Sequence, residues 1–197
     1  MKNFSLSYLL FAPLLLILGS PSIAFAHVGV GSAQGFIAGL AHPVSGLDHL
    51  CAMMGVGIWA AQRGGKAIWL LPVAFLAVMA LGGLLGAAAI ALPFADRGVV
   101  LSVLILGILI AAAVRMPLVL STLVVGAFAL FHGHVHGAEM PLTASGLTYG
   151  VGFMATTAFL LFAGAVFGVA AAKATYRSAL RFSGAAMILV GVYLLVR

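Results

Sequence analysis

From Ala67 to Ala95 the chain carries no charged residue, and none occurs from Met140 to Ala172. A water-soluble domain interrupts its apolar runs with charges, because its surface has to be solvated. Runs of this length instead match the ~20 apolar residues that cross ~30 Å of hydrocarbon as a helix. Composition agrees: of 197 residues 64% are hydrophobic and 6% charged, and the mean hydropathy is +1.29. The chain reads as a single all-α polytopic membrane domain, residues 27–197, behind a signal peptide at residues 1–26. In that leader Lys2 supplies the positive start, Tyr8 to Leu18 the apolar segment, and Ala24-Phe25-Ala26 a small-x-small cleavage site. Cleavage there makes His27 the mature N-terminus; an uncleaved anchor helix is the alternative, and either way residue 27 emerges on the outer face of the membrane.

Uncharged stretches between lysines and arginines give six mature spans. They cover about Ser32–Gln62, Ala67–Leu92, Gly98–Val114, Pro117–Phe131, Ala144–Ala172 and Ser178–Val196. With an outer N-terminus, Arg63, Lys66, Arg115, Lys173, Arg177 and Arg181 fall on the cytoplasmic side, and only Arg97 and Arg197 fall outside. That asymmetry is the positive-inside bias. A seventh span, made by splitting the first region, would reverse it. The formal net charge of +6 is therefore topological. No basic run with interleaved aromatics suggests nucleic acid as a partner; the lipid bilayer is the surrounding one. The one cysteine, Cys51, excludes an intramolecular disulfide.

The first span is too long for a straight crossing, and Pro43 and Gly46 interrupt it. Proline suits the first turn of a helix, so the expectation is a helix broken near His42-Pro43. Broken backbone at membrane depth normally lines a cavity or a site. The break falls in His42-Pro43-Val44-Ser45-Gly46-Leu47-Asp48-His49, a polar patch in an apolar chain. A second patch, His132-Gly133-His134-Val135-His136-Gly137-Ala138-Glu139, follows the fourth span. Counting from Arg63 and Arg115 at about 1.5 Å per helical residue puts His49 about 21 Å and His132 about 26 Å above the cytoplasmic boundary, with His42 and His136 at roughly 31 Å. The patches thus share the outer half of the membrane. Asp48, His49 and His132 form a deeper layer; His42, His134, His136 and Glu139 form a shallower one.

Ionisable groups inside spans are costly and usually functional. A lone histidine in a span commonly serves packing, but two clusters at matched depth point to ligation. Imidazole with one or two carboxylates suits a borderline divalent cation, and nickel, cobalt and zinc fit alike. Asp48 has a second possible role, accepting the other N–H of a ligating ring. Met53 shares the His49 helix face, yet methionine is also a common core filler. If cleavage follows Ala26, the amine and imidazole of His27 offer a further chelating pair.

Together the two patches resemble the signature motifs of the HupE/UreJ family of nickel permeases. The resemblance covers the mature chain: leader, six spans, HPxxGxDH and then the His/Gly tract. A related nickel/cobalt transporter family carries H-x4-D-H, whereas the spacing here is H-x5-D-H. What the resemblance implies is a secondary transporter in the bacterial inner membrane, with a periplasmic mature N-terminus, importing Ni²⁺ for hydrogenase or urease maturation. Cobalt is the alternative cargo, and no permanently bound cofactor is implied. The metal residues it suggests are His42, Asp48, His49, His132, His136 and Glu139, with His134 and Met53 as weaker transfers. The rival classes are an intramembrane metalloenzyme and a metal-binding sensor or assembly factor. Against an enzyme, no HExxH occurs and Glu139 is the only glutamate. No G-x4-G-K-[ST] loop suggests ATP drive.

Overall fold

The computed structural model describes residues 32–140, 144–173 and 177–197. The expected signal peptide and His27 lie outside the described residues. Among the described residues there are seven helices and no strand: α1 Ser32–Ser45, α2 Leu47–Arg63, α3 Ala67–Ala87, α4 Ala95–Ala111, α5 Leu118–Ala138, α6 Ala144–Lys173 and α7 Arg177–Val196. Four of them, α3, α5, α6 and α7, are long and apolar enough to cross a membrane, and the bent α1–α2 pair makes a fifth candidate. The helix α4 has 17 residues.

The outward faces are as apolar as the inward ones. In α3, Leu71, Phe75 and Met79 are buried every fourth residue, while Trp69, Val73 and Leu84 stand exposed. A helix apolar all round belongs in a membrane or in a large core, and in a bundle this small the exposed side has only lipid to face.

The break in the first span lies three residues beyond the expected place. Pro43 is inside α1, in its last turn, and does not open a new helix. The chain turns at Gly46, where φ −103° and ψ 127° are extended, and α1 and α2 meet at 78°. Local chemistry accounts for the shift. The Ser45 hydroxyl donates to the His42 carbonyl at 2.7 Å, closing α1. The Gly46 carbonyl accepts the Leu50 N–H at 3.0 Å, starting α2. Asp48 then sits in the first turn of α2, where a negative charge meets the positive end of the helix dipole. A Cβ at Gly46 would come within 2.6 Å of Asp48 Oδ1 and 2.9 Å of His49 Nδ1. Glycine therefore leaves the space in which that pair forms.

The second correction concerns α5, which was expected to end at Phe131 but runs on to Ala138. The His/Gly tract is thus helical, and its alternation has a reason. His132 and His136 are four apart and share one face; Gly133 and Gly137 share the next. The glycine face lies on α3. A Cβ at Gly133 would strike the Met79 carbonyl, and one at Gly137 the Gly83 carbonyl. From α3, Gly82 and Gly86 press in return on the α5 backbone at Leu130 and His134. Small residues at an interface let two backbones approach closely. The same device joins α2 to α6 at Gly57 and Gly164, and α1 to α6 at Gly39 and Gly152.

At the opposite end of the bundle, side chains of α2 and α7 reach the end of α4 and the segment after it. Trp59 Nε1 donates to the Val114 carbonyl at 3.2 Å, Gln62 Nε2 to Ile110 at 3.1 Å, and Arg181 Nε to Ala111 at 2.9 Å. The Arg63 guanidinium donates to the Met116 carbonyl. The last carbonyls of a helix lack intrahelical partners and attract cations.

The glycine contacts can be tested for their separate contributions. Gly133→Ala is expected to destabilise the detergent-solubilised protein by about 1–3 kcal/mol, the usual cost of overpacking. Gly126 would place its Cβ at an ordinary 3.7 Å from Val78 Cγ2, so Gly126→Ala should be neutral or stabilise by up to about 1 kcal/mol. Thermal melting in one detergent compares the two.

Candidate metal site

Three helices bring the polar side chains together. The last turn of α1 supplies His42, the first turn of α2 supplies Asp48 and His49, and the C-terminal half of α5 supplies His132 and His136, with Glu139 as its C-cap. One potential ligand atom each from His49, His132 and His136 lies within 4.8 Å of the others. These three residues are buried, at 6%, 0% and 5% exposure. A second such group consists of His42, His136 and Glu139, so His136 belongs to both. Ring centroids lie 4.1 Å apart for His49–His136, 5.1 Å for His49–His132 and 4.7 Å for His42–His136. Nε2 of His136 meets Nε2 of His49. Two imidazole nitrogens that converge on one point suit a shared cation, which accepts both lone pairs.

The rings are held by neighbours. His49 Nδ1 pairs with Asp48 Oδ1, and that carboxylate oxygen also accepts the His49 backbone N–H at 2.8 Å. With its Nδ1 proton donated to Asp48, His49 has a bare Nε2, the atom that faces His136. Asp48 is in neither ligand group, so its position matches the orienting role. Glu139 Oε2 lies 3.7 Å from His136 Nδ1. Tyr149 and Phe153 of α6 flank His42 at centroid distances of 5.8 and 5.9 Å. A cavity of about 410 Å³ between α3, α5 and α6, lined partly by Met79, Met140, Met154 and Phe153, reaches His136.

The two layers expected from residue counting are regrouped. His136 joins the deeper pair, His49 and His132, and also bridges to His42 and Glu139. His134 leaves the cluster: its ring points toward the α3–α4 loop, with Nε2 2.7 Å from the Ile90 carbonyl. Successive residues on a helix are turned by about 100°, so His134 cannot share the face of both its neighbours. Met53 is fully buried within the apolar core cluster. Sequence reasoning missed Ser102, whose Oγ lies 2.9 Å from His132 Nε2 inside the bundle. A single serine in an apolar span gives no sign of a polar partner; only its fully buried position does.

Binding measurements should separate these residues. His49→Ala, His132→Ala and His136→Ala are each expected to weaken Ni²⁺ binding to the purified protein by more than about 10- to 100-fold, the usual cost of losing even an outer partner. His134→Ala and Cys51→Ala should stay within a few-fold of the parent, because neither residue belongs to a ligand group. Equilibrium dialysis with radioactive nickel reads all five.

The chain as a whole is similar to known proteins. Residues 15–194 match the family described as HupE / UreJ protein. The chain is 47% identical over 183 residues to Protein HupE of Rhizobium leguminosarum bv. viciae, which covers 91% of this chain and 93% of that relative. No solved structure matches it. Both histidine motifs and all seven described helices fall within or almost entirely within the matched region, and the chain belongs to the HupE/UreJ family.

Proposed function

We propose that this membrane protein is a secondary transporter that brings a divalent transition-metal ion, nickel, across the bacterial inner membrane for hydrogenase or urease maturation. The observation that carries the reading is the convergence of His49, His132 and His136, from two different helices, inside an otherwise apolar bundle. Imidazoles at membrane depth with convergent nitrogens, and a carboxylate holding one of them, suit partial replacement of a cation's hydration shell. The His42, His136 and Glu139 group offers a second position one step outward, sharing His136. Adjacent positions with a common ligand favour stepwise transfer, since a site must bind strongly enough to admit and weakly enough to release.

In this reading the chain crosses six times: the bent α1–α2 pair, then α3 to α7. At about 1.5 Å per residue α4 is about 26 Å long, close to the hydrocarbon thickness. The basic residues then lie mainly on the cytoplasmic side, the mature N-terminus is periplasmic, and the ligand groups open toward the periplasm. Inward movement needs no nucleotide. Two positive charges crossing roughly 100 mV, negative inside, release about 4.6 kcal/mol, equivalent to roughly three decades of accumulation.

Uptake of radioactive nickel into proteoliposomes tests this. An inside-negative potential should drive accumulation, and collapsing it should remove most of the gradient. Nickel bound but never accumulated would instead favour a sensor or assembly factor. Competition by cobalt and zinc in the same assay ranks the cargo, and His132→Ala should abolish uptake while the protein still reaches the membrane.

A further inference from the structure

A hydroxyl carries one proton, and this decides the protonation pattern of His132. Ser102 Oγ lies 2.6 Å from the Val99 carbonyl oxygen. A carbonyl only accepts, so the hydroxyl donates there. The same Oγ lies 2.9 Å from His132 Nε2. With its proton committed to Val99, Ser102 accepts at this second contact, and Nε2 must carry the ring proton. A neutral imidazole has one N–H and one bare nitrogen. The bare one is then Nδ1, which is buried and has no hydrogen-bond partner among the described residues. Ser102 and His132 are both fully buried, so neither contact is shared with a competing surface group.

We propose that Ser102 is a positioning residue that locks His132 as its Nε2–H tautomer, making Nδ1 the nitrogen that His132 offers to the ion. The assignment of an ion to this cluster rests on the proposed function; the tautomer itself does not. His49 is held the opposite way, its Nδ1–H donated to Asp48 and its Nε2 bare. The two rings thus present different nitrogens to one group, each chosen by a partner on its far side. An outer partner of this kind sets ring orientation as well as tautomer. It gives α4, which contributes no ligand of its own, a part in the site.

The test uses the full chain in lipid nanodiscs, ¹⁵N-labelled at histidine and free of metal. The His132 signals are assigned from their absence in His132→Asn. The expected wild-type spectrum has the His132 proton on Nε2 alone. In Ser102→Ala the His132 signals should show both tautomers, the His49 signals should be unchanged, and Ni²⁺ affinity should fall about 10- to 100-fold. A wild-type proton on Nδ1 overturns the proposal, and so does a Ser102→Ala spectrum identical to wild type. If Ser102→Ala does not accumulate, the wild-type spectrum decides by itself. A wild-type protein with the expected tautomer that binds no Ni²⁺ overturns the metal reading and leaves the lock standing.

Discussion

Hydrocarbon offers a polar group no partner, and an unsatisfied one costs several kcal/mol. The polar side chains of this bundle therefore have to satisfy one another, and their pairing organises the interior. His49 is held by Asp48, His132 by Ser102, and His134 by the Ile90 carbonyl. What remains are the ring nitrogens between His49, His132 and His136, acceptors drawn together without a donor among themselves. For His49 and His132, pairing at one ring nitrogen leaves the other free, which is the condition for holding a cation.

Bringing imidazoles from α2 and α5 to the same place requires backbones that can approach closely. Glycine provides this on the faces next to the ligands. Gly133 and Gly137 seat α5 on α3, fixing the azimuth of α5 so that His132 and His136, one position earlier, face α2. Gly57 and Gly164 seat α2 on α6 in the same manner. A methyl group at Gly133 would thus do more than destabilise the fold. It would rotate or displace the helix that carries two of the three buried rings.

The membrane class, the boundaries of most helices and the nearness of the two motifs were legible because hydropathy and charge spacing respond directly to the bilayer. Residue counting placed the motifs at similar depth, and the structure brings His49 and His132 together as that counting implies. It failed on azimuth. Depth alone put His134 with His136, but the turn per residue sends His134 to the α3–α4 loop. A break near His42-Pro43 is expected because proline suits the first turn of a new helix, yet Pro43 sits in the last turn of α1 and Gly46 makes the turn. Ser102 was invisible because its partner is thirty residues away and its role depends on which way α4 faces.

The helix α2 links the two ends of the molecule. Its first turn carries Asp48 and His49, and its last turn carries Trp59, Gln62 and Arg63, which donate to the carbonyl end of α4 and the segment beyond. The helix α4 is tied at both levels as well, through Ser102 to His132 and through Ile110 to Gln62. A continuous helix transmits tilt along its length, so α2 cannot shift His49 away from His136 without disturbing the donors about 21 Å below. Loosening those donors likewise frees α2 to move at the site. In a transporter this arrangement would make ligand release and opening of the inner end two aspects of one rigid-body displacement, with the break at Gly46 leaving α1 and His42 behind.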